Sequence, residues 1–172
     1  MSRSPLKFQC SVCGKYHEGL PTDTAYKLPD EVWALNETER KAKAKYTTDL
    51  CQLGSKYFIR CLLQIPFIEQ SGYYGWGIWC QVEWPVFQRY LDLYEVDATN
   101  EPRVPGTVAN AIQEYGNTLG LPVEIQFQLS TQRPAVHFAS DQKHALAQEA
   151  RGGISAARYH EILISRGNLP RP

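Results

Sequence analysis

The chain has 172 residues, of which 43% are hydrophobic and 12% aromatic, and its 18 basic residues balance its 18 acidic residues. This length and composition predict a single globular domain over residues 1–172 and argue against a largely disordered chain. The balanced charge argues against nucleic acid and membranes as partners, and no apolar stretch approaches the length of a transmembrane helix.

The first 25 residues contain a metal-binding pattern. Cys10 and Cys13 are spaced as Cys-x2-Cys, Gly14 suits the positive φ of a tight turn, and His17 follows three residues later. Thiolate sulfur and imidazole nitrogen are the ligands that zinc takes in tetrahedral structural sites. We therefore predict a zinc-knuckle-like segment over residues 1–25.

A structural zinc site needs a fourth ligand, and no second Cys-x2-Cys pair follows. Cys61 and Cys80 lie in apolar runs, where a free cysteine is most simply a small buried hydrophobe, whereas Cys51 follows a polar stretch. The predicted zinc ligands are Cys10, Cys13, His17 and Cys51. The alternative is that the first two are ordinary thiols or a redox pair, although a turn-rich segment rather than a helix follows them.

The chain start has no apolar core of the kind that a secretory signal requires. Its five cysteines are odd in number and irregularly spaced, which is a poor pattern for a disulfide framework. These features favour a reducing, cytoplasmic location.

Two helices are predicted next. Pro29 and the two acids after it open a short helix that reaches Leu35. Residues 36–45 are expected to form an exposed helix, because acidic and basic side chains there are spaced by four.

Two strands and a covering helix come after these helices. Residues 57–65 and 75–84 both place apolar side chains at every second position, with a turn at Ser71 and Gly72 between them. This pattern predicts an antiparallel hairpin. Pro85 opens a helix whose apolar stripe would lie on the sheet.

The second half of the chain alternates further helices and strands. Thr107 is placed to cap a short helix, residues 121–129 form the clearest strand, and residues 133–139 form an edge strand. Ser140 and Ser155 are placed to cap the last two helices.

Together these elements predict an α+β fold, in which a mainly antiparallel sheet of about four strands is covered by helices and preceded by the N-terminal Cys/His segment. The α+β body spans residues 26–166. Residues 167–172 are expected to form a flexible tail.

Several short sequence landmarks occur in a fixed order: Cys10-x2-Cys13-Gly14-x2-His17, Asp49-x-Cys51, Phe58-Ile59-Arg60, Ile65-Pro66, Trp76-Gly77-x-Trp79, Arg133-Pro134, His144-x-Leu146-Ala147 and Gly153-Ile154. Their order resembles a bacterial family catalogued as domain of unknown function 2199. The resemblance implies a small cytoplasmic bacterial protein without an assigned reaction. It also implies that Cys51 accompanies the N-terminal Cys/His pattern.

Three functions are compatible with these patterns. The first is a non-enzymatic interaction or regulatory domain with a structural zinc and a protein partner, because tryptophan and tyrosine are abundant and are favoured at binding surfaces. The second is a metal-dependent hydrolase with an open zinc position, for which Glu18 and Asp49 are the sequence-local general bases. The first hypothesis, without catalysis, is favoured. The oligomeric state is not predicted.

The third function is binding of a small ligand on the aromatic face of the sheet, where aromatic walls would surround a few charged groups. The candidate ligand-binding residues are Arg60, Trp76, Trp79, Arg133 and His137. The simpler interpretation of the same residues is a packed aromatic sheet with surface arginines and a solvated histidine.

Overall fold

The computed structural model describes residues 7–9, 14–169 and 171. In chain order the strands are β1 (Lys7–Gln9), β2 (Tyr16–Glu18), β3 (Asp23–Ala25), β4 (Ala44–Tyr46), β5 (Leu50–Leu53), β6 (Lys56–Pro66), β7 (Tyr73–Val82), β8 (Val104–Val108), β9 (Pro122–Gln126) and β10 (Ala135–His137). The helices are α1 (Asp30–Trp33), α2 (Glu37–Lys43), α3 (Trp84–Asp92), α4 (Ala145–Gly152) and α5 (Ala156–Ser165), with a short 3-10 helix at Gln113–Tyr115.

Five strands close into a barrel. Strands β6, β7, β8, β9 and β10 pair antiparallel in succession. The barrel closes where β10 returns beside β6 in parallel, with Ala135 opposite Leu62. The amide of Leu62 donates a hydrogen bond of 2.8 Å to the carbonyl of Pro134.

Three further strands extend the same sheet, so that it has eight strands in the described part of the chain. Strand β3 pairs in parallel with the first half of β7. Strand β5 pairs with the start of β6, and β4 pairs with β5. Strands β1 and β2 form a separate antiparallel ribbon, in which His17 lies opposite Phe8.

The barrel interior is the main hydrophobic core. Alternate residues of β6 point inward, and Ile59, Cys61 and Ile65 are fully buried. Helix α3 covers part of this core, where the ring of Phe87 lies 5.2 Å from that of Tyr57. The predicted hairpin and its apolar face are therefore confirmed as far as Val82, whereas Trp84, predicted to end the second strand, begins α3 and is exposed.

A second apolar cluster lies on the other face of β6 and β7. Phe58 and Trp79 point away from the barrel interior and pack with Cys51 and Val32. Asn110 binds to this region, because its side-chain oxygen accepts a hydrogen bond of 2.7 Å from the backbone amide of Trp79. Both faces of this part of the sheet are therefore covered.

The prediction of a four-stranded sheet covered by helices is wrong, because the described residues form a sheet of eight strands and five of them close into a barrel. Strands of three to five residues, such as β3, β4 and β8, are too short to show a period in sequence. Thr107 shows the consequence, since it belongs to β8 and not to a helix. Barrel closure depends on pairing between distant segments.

Of the two serines predicted to cap the last two helices, one does so. Ser155 caps α5 as expected, since its Oγ accepts a hydrogen bond from the amide of Arg158 at 3.1 Å. Ser140 does not cap α4. That helix begins later, where the Nδ1 atom of His144 accepts a hydrogen bond from the amide of Leu146.

Candidate functional site

A cleft of about 740 Å³ lies on the outer surface, where α3, the outward face of β6, β10 and the connection before β10 meet. Its walls contain tyrosine, glutamine and hydroxyl side chains together with one carboxylate, one guanidinium and one imidazole. The lining residues are Asp49, Leu62, Gln64, Tyr73, Tyr90, Tyr94, Gln128, Ser130, Thr131, Gln132, Arg133, Ala135 and His137.

The floor of the cleft follows from the two-residue period of its strands. Because inward and outward residues alternate along a strand, Leu62 and Gln64 point away from the interior that Cys61 and Leu63 fill. Ala135 lies opposite Leu62 on β10. Its small side chain leaves room above the floor.

Helix α3 and the turn that follows it supply an aromatic wall. Tyr90 lies in α3, Tyr94 lies in the turn beyond its last residue, Asp92, and both line the cleft. The centre of the Tyr90 ring lies 5.1 Å from that of Phe127 and 5.7 Å from that of Tyr94. The rings of Tyr90 and Tyr94 are nearly perpendicular. Burial raises the pKa of Tyr90, so its phenol stays protonated.

One end of the cleft is charged. Asp49 lies in the connection between β4 and β5, and its carboxylate accepts a hydrogen bond from Nε of Arg133 at 3.2 Å and one from the hydroxyl of Tyr94 at 3.1 Å. Burial and the nearby Asp49 carboxylate raise the pKa of Tyr94. Three separate segments therefore meet at one carboxylate.

A second guanidinium stands beside this end. Arg60 is on the outward face of β6, and its Nη1 donates a hydrogen bond of 3.2 Å to the carbonyl of Thr48. Its Nε atom is buried and has no hydrogen-bond partner in the described part of the chain. Burial and the positive charge of Arg133 lower the pKa of Arg60, while Asp49 opposes this shift.

His137 lies at the other end, where the cleft meets a smaller cavity of about 250 Å³ that Arg103 and Arg151 border. Burial and the charge of Arg103 lower the pKa of His137, and Glu124 acts in the opposite direction. The arginines of this smaller cavity are already engaged. Arg103 pairs with Glu124, and Arg151 donates hydrogen bonds to backbone carbonyls.

The structure brings together part of the predicted ligand site. Arg133 and His137 line the cleft, and Arg60 borders it. Trp76 and Trp79 are fully buried and lie elsewhere: Trp76 packs in the barrel interior and Trp79 in the second cluster. The tryptophans are therefore core residues, and tyrosines supply the aromatic wall.

The sequence analysis missed most of the cleft. Tyr73, Gln128 and residues 130–132 line it although no motif marks them. Tyr90 and Tyr94 did carry a signal, since they are spaced by four in the sequence that follows Pro85, but the apolar stripe of that predicted helix is expected to lie on the sheet.

The predicted zinc ligands stay a prediction, because Cys10 and Cys13 lie outside the described residues. Within residues 7–9, 14–169 and 171, no group of three or more His, Cys, Asp or Glu side chains is arranged to hold a metal ion. The ring of His17 lies 6.0 Å from that of His160 on α5. Glu18, one of the two candidate general bases, is exposed on β2.

His17 and Cys51 are not brought together. Cys51 pairs with Phe58 near the start of β6 and is buried in the second cluster, where burial raises the pKa of its thiol to about 12. Helix α5, next to His17, packs against Tyr74, which pairs with the other end of β6. From Phe58 to Ile65 the strand spans roughly 23 Å at about 3.3 Å per residue.

A closed five-stranded barrel with a polar cleft on its outer surface is thus the architecture of this chain. The model of a family described as an uncharacterized protein conserved in bacteria (DUF2199) matches residues 9–154. The chain belongs to this bacterial family, which confirms the resemblance drawn from the sequence landmarks.

No curated protein and no solved structure matches the chain. In the described part of the chain, the helices lack the length and apolar character that crossing a bilayer requires.

Proposed function

We propose that this domain is a non-enzymatic regulatory domain that binds a small molecule in the outer cleft. The observation that carries the proposal is the cleft itself: about 740 Å³ of space in which tyrosine rings and convergent polar side chains face a floor kept open by Ala135. Ligand sites typically combine such apolar walls with a few positioned polar groups.

The surrounding contacts favour a preformed site. Tyr90 is held by ring contacts on two sides, and Tyr94 and Arg133 are both hydrogen-bonded to Asp49. A wall that is already ordered loses little conformational freedom when a ligand binds. The cleft is therefore suited to reversible binding of a molecule of metabolite size.

A thermal-shift screen with metabolite-sized molecules tests this proposal, because a ligand that binds only the folded state raises the melting temperature. The Ala135→Leu variant places a larger side chain on the cleft floor and should abolish the shift. Ala139→Leu makes the same exchange at an exposed position outside the cleft and should retain it. The ligand should be recovered unchanged after incubation with the protein.

Two results would overturn the proposal. One is a ligand whose shift persists in Ala135→Leu, which would place binding elsewhere. The other is chemical conversion of the bound ligand by the wild-type chain, which would make the domain an enzyme.

A second candidate function is an interaction domain stabilised by zinc at Cys10, Cys13 and His17. Two features of neighbouring residues support it: β1 and β2 pair as an antiparallel ribbon on either side of the Cys-x2-Cys segment, and Gly14 has φ of +70°. For the fourth ligand, His160 is an alternative to the predicted Cys51, since its ring lies close to His17.

Metal analysis of the purified protein tests this second candidate. We expect one zinc per chain in the wild type and none in Cys13→Ser. Loss of zinc in Cys51→Ala would support the predicted fourth ligand, and loss in His160→Ala with retention in Cys51→Ala would move that role to α5. A wild-type chain purified without metal chelators and free of zinc would rule out the site.

A further inference from the structure

The charged end of the cleft has more positive than negative charge. Arg133 lines the cleft and pairs with Asp49, and Arg60, which is not a lining residue, lies close enough to interact with both charges. Among the described residues that line the cleft, Asp49 is the one acidic side chain. Two guanidiniums stay protonated at neutral pH and share a single carboxylate. Among these three described side chains, this end of the cleft therefore has a net positive charge.

The arginines also keep unused hydrogen-bonding capacity. Within the described chain Arg133 donates from Nε to Asp49 and from neither terminal nitrogen, and its side chain is 42% exposed. Arg60 donates from Nη1 to a carbonyl, while its buried Nε has no partner. A planar guanidinium with free terminal N–H groups matches a carboxylate or a phosphate in geometry as well as in charge.

A surface ion pair alone accounts for only part of this arrangement. It explains why Arg133 lies beside Asp49, but it does not explain a second guanidinium close enough for the two arginines to repel each other. Like charges held together in the folded chain are destabilising unless an anion offsets them. At the other end of the cleft the guanidinium groups are engaged, since Arg103 is paired with Glu124 and Arg151 donates hydrogen bonds to two backbone carbonyls.

We infer that the cleft takes a small molecule with a carboxylate or phosphate group, which binds to Arg133 beside Arg60 in competition with the Asp49 carboxylate. The inference rests on the proposed function and names the chemistry of its ligand. The rest of the molecule lies along the tyrosine wall toward His137, where uncharged polar side chains face it.

Matched probes that differ in charge test this inference. Adenosine monophosphate and adenosine form one pair and benzoate and benzamide the other, and binding is measured by calorimetry at low and high salt. At least one anion should bind more than about tenfold tighter than its neutral partner, since hydrogen bonds to charged groups are stronger than those between neutral groups. The preference should shrink as salt rises. The preferred pair identifies the phosphate or the carboxylate as the bound group.

Three variants give effects of opposite sign. Arg133→Gln should weaken binding of the preferred anion about tenfold or more, and Arg60→Gln should weaken it to a smaller extent, because Arg60 acts through its charge. Asp49→Asn removes the competing carboxylate and should tighten binding several-fold. Arg89→Gln is the matched control, since Arg89 lies outside the cleft and pairs with Glu101, and it should leave affinity unchanged.

The inference fails if neither anion outbinds its neutral partner, or if the preferred anion binds Arg133→Gln as tightly as the wild type. It also fails if Asp49→Asn weakens binding. If a neutral or cationic molecule binds in the cleft and Ala135→Leu abolishes its binding, this inference is wrong but the proposed function is supported. Folding of each variant is checked by its melting temperature, so that loss of binding is not confused with unfolding.

Discussion

The carboxylate of Asp49 lies 3.2 Å from Nε of Arg133, although the two residues are 84 positions apart in the sequence. Asp49 follows β4, and Arg133 precedes β10. The contact therefore joins the extended edge of the sheet to the segment that closes the barrel. It also sets the geometry of the charged end of the cleft.

This ion pair should contribute little to stability. The side chains of Arg133 and Asp49 are 42% and 24% exposed, so water screens their attraction, and such pairs are typically worth about 1 kcal/mol or less. We expect Asp49→Asn and Arg133→Gln each to change the free energy of unfolding by less than about 1 kcal/mol, as measured by urea denaturation. A loss of several kcal/mol in either variant would show that the pair holds the fold together.

Asn110 should contribute far more to stability than the Asp49–Arg133 ion pair. Its Nδ2 donates hydrogen bonds of 2.9 Å to the carbonyl of Leu28 and to the carboxylate of Asp30, and its Oδ1 accepts one from the amide of Trp79. Asn110→Ala removes all three hydrogen bonds, two of which are buried, at a cost of about 3 kcal/mol or more. Urea denaturation measures this loss. The control Asn117→Ala changes an exposed asparagine and should be nearly neutral, and equal effects in the two variants would contradict the argument.

The adjacent glycines that end α4 provide a matched pair for backbone strain. Gly153 has φ of +84°, and a Cβ atom there would lie 2.8 Å from the carbonyl oxygen of Pro66. Gly153→Ala should therefore destabilise the protein by more than about 2 kcal/mol. Gly152→Ala meets nothing within 4 Å and has no positive φ, so it should be neutral or stabilising. Thermal unfolding of both variants checks this ranking. Equal melting temperatures would show that the helix end rearranges freely.

His137 should make stability sensitive to acid. Burial and Arg103 lower its pKa in the folded chain, so the unfolded chain binds more protons once the pH falls below about 6.5. The stability that neutral His137 contributes is present above that pH and is lost as the pH falls through the folded pKa. The drop in melting temperature from pH 7.5 to pH 5 should be smaller in His137→Gln than in the wild type. An equal drop would show that other groups dominate.

The thiol of Cys51 should be unreactive in the native protein. It is 1% exposed, and burial raises its pKa to about 12, so almost no thiolate forms at pH 8. Iodoacetamide should alkylate Cys51 only after denaturation, as followed by peptide mass spectrometry. An introduced cysteine at the exposed position Ser140 should react within the native state. Comparable rates at the two sites would show that β5 opens readily.

The sequence by itself determined the parts of this protein that depend on neighbouring residues. The alternation along β6 and β7 predicted their hairpin and its buried faces, and Ser155 predicted the start of α5, because side-chain period and capping are local properties. The order of short landmarks was also sufficient to indicate the bacterial family.

Only the tertiary structure decided the closed barrel and the cleft. The single parallel register of Ala135 with Leu62 closes the sheet, and the meeting of Arg60 and Arg133 at Asp49 builds the charged end of the site. Both result from contacts between segments that are far apart in the chain and that carry no shared period. Such contacts are selected by the free energy of the whole fold, in which burial on both faces of β6 and β7 compensates for the entropy of closing long loops.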